Sequence, residues 1–302
     1  MRKFRKVFRS LRDPRAPNAV HGLLDVLLIS LAAIMCGARG PTDIELFGQS
    51  KEKLLRLFLP LVVLSTLYFL LQQIAPNVNS RPDWSDMPSI YYMPYAHFWF
   101  LQAIILIFAL VGLLDRLGAM STVRRYAGVL ALVLTAHFLL HIWPPYFSSN
   151  HALYLAPFFI AGLGANRFRH LFFKATVLKW VALAVFIVTM TLNVLACYGI
   201  YGEIWEQRTP LATALSLSGL LTLLYWTPPN RTLAWIGGFS FTVYLYHVFF
   251  TAGSRTALMM AGITEPLPVF LIGCGVGVMG PVVLELVFRK SAFMRRFFLG
   301  QS

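Results

Sequence analysis

Between Leu57 and Phe288 the chain alternates long apolar runs with short polar gaps. The runs cover roughly 57–75, 97–114, 127–143, 152–165, 179–199, 210–227, 233–253 and 267–288. A helix needs about 20 residues to cross a hydrocarbon core roughly 30 Å thick, and most of these runs meet that length. The run 152–165 is short and carries Pro157. Deleting it would turn the basic cluster that follows away from the side shared by every other basic cluster, so it counts as a span. The pattern predicts an all-α fold: a polytopic membrane helix bundle of about eight transmembrane helices.

Charge orients the bundle. Alternate gaps hold Lys51, Lys53 and Arg56; Arg116, Arg124 and Arg125; Arg167, Arg169, Lys174 and Lys179; Arg231; and Arg289, Lys290, Arg295 and Arg296. The other gaps hold Arg81, Arg208 and Arg255 against Asp83, Asp86, Glu203, Glu206 and Glu265. Basic loops stay cytoplasmic, so both ends of the block are expected on the cytoplasmic side of a plasma membrane. Composition agrees. With 58% hydrophobic and 13% charged residues and a mean hydropathy of +0.67, a soluble globular domain is excluded. The formal charge of +14 is spread over loops and tails and not gathered on one helix. Topology and contact with anionic membrane lipid account for it, and no nucleic acid partner is expected. Cys36, Cys197 and Cys274 lie far apart in apolar stretches and suggest neither a disulfide nor a metal site.

The first residues read differently. A basic start (Arg2, Lys3, Arg5, Lys6, Arg9, Arg12, Arg15) precedes the apolar stretch Leu23 to Cys36, which contains Asp25. That stretch is too short to span, and as a span it would force the basic tail outside. It also lacks a small-residue cleavage site. Residues 1–52 are therefore read as a short N-terminal cytoplasmic or interfacial helical extension, 53–290 as the transmembrane domain, and 291–302 as a basic cytoplasmic tail.

Two resemblances add to this. The stretch DPRAPNAVHGLLDVLLISLAAIMCGARGPTDIELFGQSKEKLLRLFLP resembles the N-terminal helical segment of a family of insertion-sequence transposases. It contains none of a transposase catalytic core, so no DNA chemistry is implied and a gene fusion is the expected origin. From about Lys53 onward the chain resembles the acyltransferase-3 family of membrane O-acyltransferases. The carrying stretches are LLRLFLP at Leu54–Pro60, HFWFL at His97–Leu101, YLAPFF at Tyr154–Phe159 and GFSFTVYLYH at Gly238–His247. The resemblance implies transfer of an acyl group, often acetyl, from cytoplasmic acyl-CoA to a sugar hydroxyl of an exported glycan or glycolipid, with no bound cofactor. Members typically have ten spans, and their usual catalytic histidine lies in the first span, preceded by an arginine. The sole histidine before Leu57 is His21, which does not match, so an N-terminally truncated and inactive remnant, or one completed by an unknown partner subunit, is the competing expectation.

The remaining histidines supply candidates. His97, His137, His141, His151 and His247 fall toward the outer half of the membrane in this topology, with His170 inside. Neutral imidazole suits a general base acting on a sugar hydroxyl. His247 and His97 are the catalytic candidates. His137 and His141, four apart, would share a helix face lining an acceptor cavity. That spacing also suits a metal, but no carboxylate joins them and no metal site is assigned. Ser240, Tyr244 and His247 form a polar stripe on the seventh span, which serves either helix packing or the acceptor, and Trp99 joins the acceptor candidates. Arg124, Arg125, Arg167 and Arg169 could grip the phosphates of acyl-CoA, although positive-inside bias explains them without a ligand. Glu285 is expected to reach toward Arg289 and Lys290. The loop 76–95, with Trp84, Tyr91, Tyr92, Tyr95, Asp83 and Asp86, reads equally as a carbohydrate platform or an interfacial aromatic belt. The leading reading is a membrane O-acyltransferase. A non-catalytic scaffold or pseudo-enzyme stands second. A transporter is the weakest, since the halves show no internal repeat.

Overall fold

The computed structural model describes residues 51–74, 81–168, 171, 176–200, 208–226, 228 and 230–299. The expectations for residues 1–50, Arg169 and His170 lie outside the described residues. Every apolar run folds as a helix: α1 Lys51–Ile74, α2 Trp99–Arg116, α3 Val123–Leu139, α4 Ser149–Arg167, α5 Thr176–Cys197 and α6 Pro210–Trp226. The seventh run is a pair, α7 Arg231–Gly237 and α8 Ser240–Met260. The eighth is α9 Pro266–Phe288. No strand occurs among the described residues. In hydrocarbon a backbone must satisfy its own polar groups, and helices do so within each segment.

Local chemistry sets the ends. The Thr122 hydroxyl accepts from the Arg125 N–H at the start of α3, and the Asn230 side chain accepts from the Leu233 N–H at the start of α7. Gly118 and Gly262, both at positive φ, take the left-handed conformation that ends α2 and α8.

Four helices (α1, α2, α5, α9) are long and apolar enough to cross a membrane by themselves, and α7 with α8 makes a fifth as a bent pair. The 17-residue α6 is apolar but shorter. Two expectations need correction. The third run, placed at 127–143, ends as a helix at Leu139, because Leu140 turns to extended φ/ψ. The seventh run is not one straight helix: α7 and α8 meet at 76°. Within 291–302, read from the sequence as a basic tail, Ala292–Leu299 forms α10, which packs on α1 and α9. The Tyr246 hydroxyl donates to the Phe298 carbonyl at 3.0 Å, and Leu299 is fully buried.

The core lies between α1, α2 and α4, around Leu57, Leu61, Leu64, Leu101, Phe108 and Ile160. Backbone approach is closest where Gly164 of α4 meets the Tyr126 ring: a Cβ there would lie 2.0 Å from it. The Tyr126 hydroxyl donates to the Ile160 carbonyl, which holds the ring in place. At the C-terminal end of α2, Arg167 grips Asp115 at 2.8 and 3.2 Å and also donates to the Met120 carbonyl. Helices α5 and α6 pack chiefly on each other, with Lys179 Nζ 3.9 Å above the Trp226 ring.

The two loops at the opposite end are held by one buried amide. Gln102 is fully buried. Its Nε2 donates to the Tyr91 and Met93 carbonyls, each at 3.1 Å, and its Oε1 accepts from the Ser148 hydroxyl at 2.5 Å. Gln102→Leu is expected to destabilise by about 1–3 kcal/mol for each group left unpaired. The checks are thermal unfolding in detergent and faster amide exchange over 89–98 and 146–148; an unchanged exchange pattern would refute this role.

Candidate functional site

Tyr68 on α1, the loop ahead of α2 and the first two turns of α8 come together around His97. The His97 and His247 rings lie 5.3 Å apart at 71°. The Tyr244 hydroxyl donates to the His97 carbonyl, so α8 holds the backbone of the residue whose ring it faces. His97 Nε2 lies 3.2 Å from the Leu245 carbonyl, and a carbonyl can only accept. His97 therefore carries its proton on Nε2, leaving Nδ1 as a lone pair that is buried without a hydrogen-bond partner among the described residues. His247 is the opposite tautomer. Its Nδ1 lies 2.8 Å from the Tyr244 carbonyl and 3.2 Å from that of Val243, so Nε2 is the basic nitrogen. In this geometry each ring presents one nitrogen that is not turned to a carbonyl: Nδ1 of His97 and Nε2 of His247.

Aromatic residues wall this pair. The Tyr68 ring meets the rings of Tyr95, His97, Phe98 and Phe249 edge-on at 5.5–6.0 Å. Tyr95 donates to Gln72 Oε1 at 2.5 Å. Burial, then the neighbouring Tyr68, pushes the Tyr95 hydroxyl above its usual range, which keeps it a donor. Tyr68 and Gln72 were not singled out in the sequence, whereas Tyr95 was named in the aromatic loop 76–95. The i, i+4 placement of Tyr68 and Gln72 on α1 was visible, but nothing local said which face of α1 would meet His97.

The other acceptor candidates separate. His137 is fully buried and tied to structure: its Nδ1 faces the Leu153 carbonyl at 3.4 Å, its Nε2 faces the Thr213 hydroxyl at 3.2 Å, and its ring stacks on Tyr154. This links α3, α4 and α6. His141 lies beyond the end of α3, exposed, 3.5 Å from the Asn150 amide. The expected shared helix face of His137 and His141 is therefore absent, because the helix stops between them. Trp99 stacks on His151 at 4.4 Å and 31°, two residues from His97. Ser240 opens α8 with a buried hydroxyl lacking a hydrogen-bond partner among the described residues. At 1.5 Å per residue it stands about 10 Å along the helix from His247, at the end where Arg289 lies over the Phe239 ring.

On the basic side, Arg125 donates to the Gly118 carbonyl and the Ser121 hydroxyl, Arg124 is exposed, and Arg167 is engaged by Asp115. Glu285 is buried and pairs with Arg289 at 2.5 Å, as the sequence led one to expect. Among the described residues no group of three or more His, Cys, Asp or Glu could hold a metal.

A family model described as an acyltransferase domain matches residues 27–286. The match begins inside 1–52, so the transposase-like and acyltransferase-like stretches overlap from residue 27 onward. No curated protein and no solved structure matches the chain.

The opposed tautomers can be measured. In full-length protein labelled with ¹⁵N-histidine in lipid nanodiscs, His247 is expected as the Nδ1–H form and His97 as the Nε2–H form at neutral pH, assigned by His→Gln variants. Finding the same tautomer at both positions would contradict the geometry.

Proposed function

Since the chain belongs to the acyltransferase-3 family, whose model covers residues 27–286, we propose that it transfers an acyl group, with acetyl as the group to test first, from cytoplasmic acyl-CoA to a sugar hydroxyl of an exported glycan or glycolipid at a plasma membrane.

 The observation that supports this reading is the His97–His247 pair, with ring centroids 5.3 Å apart and His247 Nδ1 turned to the Tyr244 carbonyl, which leaves Nε2 as the nitrogen to accept a proton. In the proposed step the acceptor hydroxyl gives its proton to His247 Nε2 as its oxygen attacks the thioester carbonyl carbon. Collapse of the tetrahedral adduct breaks the C–S bond, and the proton passes to the leaving thiolate. An ester and a free thiol form, and nothing else is consumed. Among the described residues His97 Nδ1 is buried without a hydrogen-bond partner, a costly state that a second hydroxyl of the same sugar would relieve. Tyr244 acts through His97, as a positioning residue.

On the donor side, the exposed Arg124 with Arg116 is the better candidate for the CoA phosphates. Arg167 serves Asp115, and Arg125 serves the turn before α3.

A second reading, a non-catalytic membrane scaffold, draws on one observation: no residue pair before Leu57 matches the family's arginine and histidine in an apolar helix. Acyl transfer from labelled acetyl-CoA, in membranes carrying this chain alone, separates the two. His247→Ala and His97→Ala are each expected to lower transfer by about 10²–10⁴-fold, and His21→Ala by less than His247→Ala. No transfer by the unaltered chain, or full transfer by His247→Ala, would sink the enzymatic reading.

A further inference from the structure

The last helix, α10, brings cations to the basic end of the bundle that the protein does not neutralise. From Arg289 to Leu299 the chain holds four basic residues, Arg289, Lys290, Arg295 and Arg296, and no acid. Glu285 takes Arg289. Among the described residues no salt bridge reaches the other three.

Arg295 points the wrong way for a solvated charge. It lies three and four residues before Phe298 and Leu299, and residues so spaced share one helix face. That face is the docked one: the Phe298 ring meets Phe288 of α9 at 5.7 Å, and Leu299 is fully buried. Accordingly the Arg295 Nε is buried, and among the described residues it has no hydrogen-bond partner. A guanidinium does not shed its proton in a protein. Left uncompensated beside apolar packing it is costly, so it calls for an acceptor from outside the fold.

The outward face says which acceptor. Phe293 is 58% exposed, and its ring lies 4.7 Å from that of Phe297, one turn on. Arg296, also exposed, stands three residues after Phe293 on the same side. A site for a free phosphate needs cations and donors and gains nothing from a pair of apolar rings. A phospholipid uses both, its phosphate meeting the guanidinium groups and its acyl chains the rings.

We propose that α10 holds an anionic phospholipid, with Arg295 and Arg296 on its phosphate and Phe293 and Phe297 against its acyl chains. Consecutive helical residues point about 100° apart, and two arginine side chains are long enough to converge across that angle. The lipid is then part of how α10 docks. The helix it fastens braces the histidine site, because the Tyr246 hydroxyl donates to the Phe298 carbonyl at 3.0 Å and Tyr246 adjoins His247 in α8. Glu52 is the rival partner for Arg295: it lies in the first turn of α1, the helix on which α10 packs. The proposal does not depend on acyl transfer.

The test uses the full chain in lipid nanodiscs and reads amide hydrogen exchange over 292–299 by mass spectrometry. Replacing phosphatidylcholine with a phosphatidylcholine–phosphatidylglycerol mixture is expected to slow that exchange about tenfold. Arg295→Gln is expected to abolish the slowing and to leave exchange in phosphatidylcholine alone unchanged. Arg231→Gln, which removes an exposed cation from another basic gap, is expected to keep the slowing. Coenzyme A or inorganic phosphate added to phosphatidylcholine nanodiscs, and Glu52→Gln in either lipid, are expected to change nothing. Equal exchange in the two lipids, or slowing that survives Arg295→Gln or vanishes in Arg231→Gln, overturns the proposal. So do three other results: slowing by coenzyme A makes α10 part of a donor site, slowing by inorganic phosphate makes it a site for any small anion, and faster exchange in Glu52→Gln assigns Arg295 to that carboxylate.

Discussion

Gln102 is the residue on which the half of this protein opposite the basic clusters depends. Its buried amide satisfies two carbonyls and one hydroxyl from two different loops. Those loops are where the chain leaves helical geometry, and they contain the non-glycine residues with positive φ. Non-helical backbone close to a bilayer must find partners inside the protein. Because one side chain of α2 provides them, the loops are parts of the packed structure, and His97, Trp99 and His151 hold their positions relative to α8.

At the basic end the constraints are ionic and aromatic. Asp115 with Arg167 joins α2 to α4, Glu285 with Arg289 closes the end of α9, and Arg289 covers Phe239 at the bend between α7 and α8. Past the 76° bend, α8 carries Tyr244, Leu245 and His247 to His97. A straight seventh helix would carry the same residues in the same order along a different axis. Helix α10, docked through Tyr246 and Leu299, braces α8 and α1 from this end.

Much of the architecture was legible. Each apolar run became a helix, because a hydrocarbon environment rewards an uninterrupted apolar segment with internal hydrogen bonds. The tie of Glu285 to Arg289 followed from their i, i+4 spacing. The pairing of His137 with His141 did not hold, since their spacing implies a shared face only while the helix continues, and Leu140 is extended. Arg167 looked like a candidate for donor phosphates, and no local signal announced that Asp115, 52 residues earlier, would claim it.

The sequence by itself determined the helical class, the number of apolar segments and the charge bias of the gaps between them. These follow from hydrophobic length and from lysine and arginine counts, which act locally along the chain. The tertiary structure alone decided which of the histidines meet, which nitrogen of each carries the proton, and that two separate loops share one buried amide. Those outcomes hang on contacts between residues far apart in sequence, such as His97 with Leu245 and Gln102 with Ser148. Such contacts depend on helix bends and side-chain reach, which no pattern of apolar and polar positions records.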